Sequence, residues 1–396
     1  MPIPTTPRTS APRLYYIDWL RVLAMIGIFF FHNARFYDVF GDWHVRNATT
    51  SLGPSILVSF MSQWIMPLFF LVAGAGTYYA LKSRRVGGFI QERTLRLLVP
   101  LIFGMLVIVV PQAYFEAVFK GADLSSYNLI QIYGLYLQSL PDLNFFHLWF
   151  LVDLFIFSII TVPLFFTKNS SGKSVISRLA SFFDKPWTLL LLLVVSITLV
   201  NVLVYPDGFW GFRNGGWNII TYVLFFIFGY LIFANPRIME TVRKLRWISI
   251  GVGVATFTFI LVYVLVAGEP AFGTPMYVFG MLVQAMGAWG WLLAILGFGS
   301  RFLNRNNRFL TYTNEAVLPF YLLHQTVIIV IGFYVVQWNT SVGLKYLTIS
   351  ATSFVAIMLI YEFLVRRINV FRFLFGMRLT NPRQKTKATL AGAVET

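Results

Sequence analysis

Apolar residues along the chain gather into ten long stretches, at about 16–36, 54–81, 97–117, 146–166, 187–204, 217–234, 247–267, 275–298, 316–337 and 343–365. Most of them approach or exceed the roughly 20 residues with which an α-helix crosses the hydrocarbon core of a bilayer. The segments between them are short and rich in Gly, Pro, Asn and Ser. This pattern predicts an all-α, polytopic integral membrane bundle of about ten transmembrane helices. The first stretch carries Asp18, Arg21 and His32 and follows a Pro-rich tail, so it reads as a helix of the mature protein rather than a cleaved leader. No internal repeat or second soluble domain is expected. Residues 1–14 read as a cytoplasmic tail, 15–367 as the membrane domain and 368–396 as a basic cytoplasmic tail.

Composition agrees, and charge adds orientation. Hydrophobic residues make up 58% of the 396 and DEKR only 12%, about half the charged share of a soluble domain. The spare apolar surface must face lipid. The absence of cysteine excludes disulfides, thiolate metal sites and cysteine nucleophiles, and no metal-ligand cluster is visible. The net charge of +16 would suggest nucleic acid in a soluble protein. Here the positions of the basic residues decide otherwise. The N-terminal tail, the loops after the second, fourth, sixth and eighth stretches, and the C-terminal end hold 25 Lys and Arg. The alternate loops hold only Arg35, Arg46, Lys120, Arg213 and Lys345, and Arg21 lies within the first stretch. Such asymmetry follows the positive-inside rule, predicts both termini in the cytoplasm, and makes membrane lipid rather than nucleic acid the partner.

Charged groups within spans are costly and mark function. Arg21 and His32 are eleven positions apart, which on an α-helix leaves them only about 20° from alignment and about 16 Å apart along the axis. Asp18 and Arg35 flank the same stripe. Arg21 belongs near the cytoplasmic end and His32 toward the outer half. Asp18 and Arg21 also suit a purely structural ion pair at i, i+3. The functional reading is a cavity crossing the bilayer, cationic at its inner end, with imidazole as a general base further out. Other polar positions compatible with that cavity are Glu116 and Gln112 in the third stretch, His147 and Asp153 in the fourth, and Glu315, Tyr321, His324 and Gln325 in the ninth. Pro319 frees backbone groups in the ninth. Arg93 and Arg96, at i and i+3, would share a helix face and suit phosphate oxygens, although basic residues at an inner interface also simply anchor topology.

These residues carry a resemblance. Ile17-Asp18-Trp19-Leu20-Arg21 followed by Phe31-His32-Asn33 is similar to the opening helix of the membrane acyltransferase-3 family, whose signature is Arg, ten residues, His. Arg93-x-x-Arg96 resembles that family's Arg-x-x-Arg motif. Asn314-Glu315-Ala316 through Pro319-Phe320-Tyr321-Leu322-Leu323-His324-Gln325-Thr326, with Phe146-His147-Leu148-Trp149-Phe150-Leu151, resembles its glucan-biosynthesis branch. The likeness runs from about Tyr15 to Arg367. It implies transfer of an acyl group from a cytoplasmic acyl-CoA, used as co-substrate with no permanently bound cofactor, to a hydroxyl of an envelope glycan or related acceptor in a bacterial inner membrane. It also implies that His32 is the catalytic histidine, with Arg21 and Asp18 its partners, and that Arg93 and Arg96 hold the donor's phosphates. The residues alone leave a second reading open, a transporter of a sugar-linked solute along the same stripe.

Overall fold

A computed structural model describes residues 13–142, 144–166, 185–204 and 216–380. Of the basic residues used above, Arg8, Lys168, Lys173, Arg178, Arg213, Arg383, Lys385 and Lys387 lie outside them. All regular structure among the described residues is helical. In chain order the α-helices are α1 (Tyr15–Ala34), α2 (Leu52–Ser62), α3 (Ile65–Ser83), α4 (Val86–Arg93), α5 (Val99–Phe103), α6 (Val110–Phe119), α7 (Leu129–Ser139), α8 (Trp149–Ile160) and α9 (Val162–Phe166). They continue as α10 (Pro186–Leu203), α11 (Ile219–Ala234), α12 (Pro236–Ala267), α13 (Pro275–Phe302), α14 (Arg308–Val335), α15 (Val342–Ile360) and α16 (Asn369–Leu374).

Several of these helices begin where the sequence supplies a cap. Asn218, Asn235, Thr274, Asn307 and Ser341 each accept hydrogen bonds from backbone N–H groups of the first turn that follows. Pro186, Pro236 and Pro275 open theirs at positions where no N–H is needed. Among the described residues, seven helical runs are long and apolar enough to cross a membrane, or eight if α4–α6, bent by 43° before Val110, is one span. Two shorter apolar helices, Leu191–Leu203 and Ile219–Ala234, accompany them. The protein is therefore a multi-pass membrane protein.

The bent span has a chemical cause. Its α-helical pieces are joined by two π-helical turns, Thr94–Leu98 and Gly104–Ile108, and each turn is followed within three residues by a proline, Pro100 or Pro111. Proline cannot donate back to the carbonyls one turn earlier, so the ladder there must change register or bend. Helix α7, which falls between the third and fourth apolar stretches where no helix was expected, repairs part of the loss. Tyr133 donates its hydroxyl hydrogen to the carbonyl of Leu106 at 3.1 Å, and Tyr136 to that of Met105 at 2.6 Å.

The core closes by near-contact of backbones. Gly74 on α3 faces the carbonyl of Phe226 on α11, and Gly229 on α11 faces that of Leu71 on α3. An added Cβ at either site would lie 1.9 Å from the opposing oxygen. Small residues let two apolar helices approach when lipid offers no hydrophobic drive to associate. Gly229→Ala should accordingly lower stability by about 1–3 kcal/mol, the usual cost of overpacking, read as a reduced melting temperature of the detergent-solubilised protein. Gly76→Ala, whose Cβ meets nothing within 4 Å, should leave it unchanged.

Candidate active site

Helices α1 and α14 pack along one seam. At one end the Arg21 guanidinium reaches Asn314 Oδ1 at 3.4 Å; at the other the rings of His32 and His324 lie 5.1 Å apart. Eleven residues separate the α1 pair and ten the α14 pair, so the two helices run in the same direction and the polar stripe of α1 faces α14 along its length. The two ends are about 16 Å apart.

The histidine end gathers every histidine in the chain, four in all. His324 sits between His32 and His147, whose ring centroids are 5.1 and 5.2 Å from its own. His324 donates from Nδ1 to the carbonyl of Tyr321 at 2.6 Å, and His147 from Nε2 to that of Leu322 at 3.1 Å. These carbonyls lie beyond Pro319 and take the imidazoles as additional partners, an oxygen having two lone pairs. The Tyr321 hydroxyl in turn donates to the carbonyl of His147. In neutral rings those bonds fix the tautomers and leave lone pairs on His147 Nδ1 and His324 Nε2. Both atoms, with His32 Nδ1 and the indole Nε1 of Trp43, are buried without a partner among the described residues. Four orphaned polar atoms in one cluster would be costly in a dry core and equip it to hold a polar guest. No group of three histidines or carboxylates among the described residues converges on a metal-sized position.

The loop between α1 and α2 closes this end. Arg35 pairs with Asp38, Arg46 donates to the Asp38 carbonyl at 3.0 Å, and Asn47 binds the Phe36 carbonyl through its N–H at 2.9 Å. Buried Lys345 on α15 clamps the Asn47 side chain at 2.8 Å. So held, Trp43 stacks on His32 with centroids 5.1 Å apart, and His44 stands beside it. His44 Nδ1 lies 2.5 Å from Glu116 Oε2, and its Nε2 lies 3.0 Å from Gln325 Nε2 and 3.4 Å from Gln112 Nε2.

The opposite end is cationic. Asp18 accepts from Arg13 at 2.8 Å, and Arg21 stands at 3.6 Å. Arg21, Arg93 and Arg96 lie within electrostatic range of one another, and Arg378 within range of Arg96. The π-helical turn that begins at Thr94 changes the geometry expected of the arginine pair. Its wider turn spreads Arg93 and Arg96 instead of aligning them: Arg93 lies over the Phe89 ring at 5.0 Å with Nε buried and unpartnered, while exposed Arg96 reaches Glu92 at 3.4 Å. Glu92 also pairs with Arg84. Among the described residues no carboxylate pairs with Arg93 or Arg378.

Three residues expected to line the cavity have surroundings of their own. Arg35 anchors the α1–α2 loop and lies over the Trp43 ring at 5.3 Å, beside the histidine cluster. Glu315 lies toward the arginine end, where it accepts from Arg372 at 2.7 Å. Arg372, buried in α16, also donates to the carbonyls of Arg378 and Arg366 at 2.7 and 3.0 Å, so the basic stretch read as a tail begins as a docked part of the bundle. Asp153 is buried on α8, within electrostatic range of Tyr321, and no hydrogen bond or ion pair among the described residues reaches it. The structure does unite His32, His147, Tyr321, His324 and Gln325, and it adds His44 and Trp43. The Trp43-His44 pair could have been suspected from the rarity of histidine alone.

Residues 14–362 match the family of acyltransferase domains known as acyltransferase-3. Over 381 residues the chain is 25% identical to the glucans biosynthesis protein C of Salmonella heidelberg (strain SL476), covering 92% of this chain and 95% of that protein. The protein of the same name from Salmonella schwarzengrund (strain CVM19633) matches with the same identity and coverage. No solved structure gives a significant match.

Glu315→Ala should free the α16 segment from the bundle. Loss of a charge-assisted hydrogen bond, about 1.5–3 kcal/mol, should speed tryptic cleavage after Arg372 and Arg378 about tenfold or more, followed by mass spectrometry of the released peptides.

Proposed function

We propose, from the premise that the chain belongs to the acyltransferase-3 family and is itself an acyltransferase, that it moves an acyl group from cytoplasmic acyl-CoA to a hydroxyl of an envelope glycan. The observation that carries this reading is the α1–α14 seam. Arg21 and His32, the pair matching the family signature, sit at its two ends, one among arginines and one among histidines. In this reading the two shorter apolar helices bring the spans to ten, both termini are cytoplasmic, the membrane is the bacterial inner membrane, and residues 15–367 form the catalytic domain between cytoplasmic tails.

The chemistry follows from the two ends. Acyl-CoA is polyanionic, and a cluster in which arginines outnumber carboxylates draws it to the cytoplasmic mouth. Guanidinium forks suit its phosphate oxygens, and Arg93, with no carboxylate at ion-pair distance among the described residues, is the strongest candidate to hold them beside Arg96. Arg21, steadied by Asp18 and Asn314, sits where the seam begins. With the phosphates held there, the thioester rides at the far end of a long arm that follows the seam toward His32. The orphaned nitrogens of His32, His147 and His324 supply hydrogen-bond partners for a thioester and a sugar hydroxyl meeting there, and Gln325 and Tyr321 shape the pocket. The glucans in the relatives' name make a glucan the first acceptor to test.

Membranes carrying the chain, supplied with radiolabelled acetyl-CoA or succinyl-CoA, should place label on the glycan fraction. His32→Ala should lower that transfer by about 100-fold or more, the scale of a lost hydrogen-bond partner for the reacting groups, and equal transfer by the two preparations would remove His32 from the chemistry. Arg93→Ala should raise the donor KM about tenfold with kcat little changed, as expected for one lost charged contact to phosphate.

A further inference from the structure

The four imidazoles differ in what stands behind them. His147 and His324 rest on backbone carbonyls, and His32 Nδ1 has no partner among the described residues. His44 is the one with a carboxylate among the described residues: Glu116 Oε2 lies 2.5 Å from Nδ1. A base that takes a proton in a water-poor site becomes an imidazolium, and a carboxylate on its far nitrogen both fixes the tautomer and stabilises that charge. Neutral rings and carbonyls do this less well. Lys120 Nζ lies 2.5 Å from the other oxygen of Glu116.

We infer that the His44–Glu116 pair is the general base of the acyl transfer, with Nε2 of His44 receiving the proton of the acceptor hydroxyl. This rests on the reading of the histidine cluster as the transfer centre. With Nδ1–H directed at Glu116, Nε2 carries the free lone pair, and it faces the amides of Gln325 and Gln112 at 3.0 and 3.4 Å. Those amides keep the ring in place, and a sugar hydroxyl replaces them at Nε2 when the acceptor enters. Trp43 sets the distance to the signature residue, since its indole stacks on His32 while the next residue in the chain presents the base.

The step balances with the groups at hand. The acceptor O–H bond breaks and its proton passes to His44 Nε2. The hydroxyl oxygen forms a C–O bond with the acyl carbon, the C–S bond breaks, and CoA leaves as thiolate with the electron pair. The proton then returns from His44, through solvent, to the thiolate, so that thioester and alcohol give ester and thiol. Glu116 is a positioning residue throughout; it touches His44 and not the substrate.

The test uses membranes and purified full-length protein, radiolabelled acetyl-CoA or succinyl-CoA as donor, and label on the glycan fraction as readout. His44→Ala should lower transfer about 100-fold, and free imidazole should restore part of it, which a merely structural loss would not allow. His44→Gln keeps an amide toward Gln325 and preserves the loop; it should show the same loss without rescue. Glu116→Gln should lower kcat about tenfold with donor KM unchanged, and H44A/E116Q should be no slower than H44A alone, because the two act as a unit. Full transfer by His44→Ala while His32→Ala is inactive would overturn the inference and leave the centre standing. A loss in folded His44→Ala that imidazole does not relieve would overturn it equally. Full transfer by His32→Ala is a separate outcome that removes the transfer centre itself, and the inference with it.

Discussion

A guanidinium and an imidazole eleven residues apart on an otherwise apolar helix cannot both be left in lipid, and this burial constraint organises the rest of the bundle. Helix α1 turns its polar stripe onto α14, which meets it with Asn314 at one end and His324 at the other. Desolvation makes these contacts obligatory, and the contacts fix the rotation and register of both helices. Once that seam is set, the remaining polar groups have little choice of place. His147 must reach the Leu322 carbonyl, and the Tyr321 hydroxyl must reach back to His147. The loop after α1 must fold over the end of the seam to cover it.

The two ends are built by different means. At the histidine end, a short loop is made rigid by ion pairs and by buried Lys345, so that Trp43 and His44 arrive as fixed groups. At the arginine end, prolines force π-helical turns that separate Arg93 from Arg96, while Arg372 and Glu315 dock α16 and bring Arg378 toward the same region. The proposed donor site is thus assembled from three separate segments. The histidine centre, held in packed helices, is better suited to keep atoms in fixed positions, and that division fits binding at one end and chemistry at the other.

Much of this was legible in the sequence, for identifiable reasons. The helical spans follow from apolar length and from caps such as Asn307 and Ser341. The Arg21/His32 stripe follows from helix periodicity, which packing in a membrane cannot rotate away. What periodicity does not report is where a loop goes, and the partnership of His44 with Glu116 joins residues 72 positions apart. Helix α7 was hidden because its 11 residues are too few to cross the bilayer and fall between two apolar stretches. The partner of Glu315 was not legible because an acidic residue at the start of the ninth stretch can serve a basic segment folding back from the C-terminal side as well as a cavity. The expected alignment of Arg93 and Arg96 assumed an α-helical turn where the chain forms a π-helical one from Thr94.

The central claim is that the arginine end and the histidine end face opposite sides of the membrane. The chain has no cysteine, so single cysteines placed at exposed Gly88 and exposed Ala48 can be labelled without background. With a membrane-impermeant maleimide, Gly88→Cys should react in inside-out vesicles and not in intact spheroplasts, and Ala48→Cys should show the reverse. Labelling of both cysteines from the same side would contradict the account.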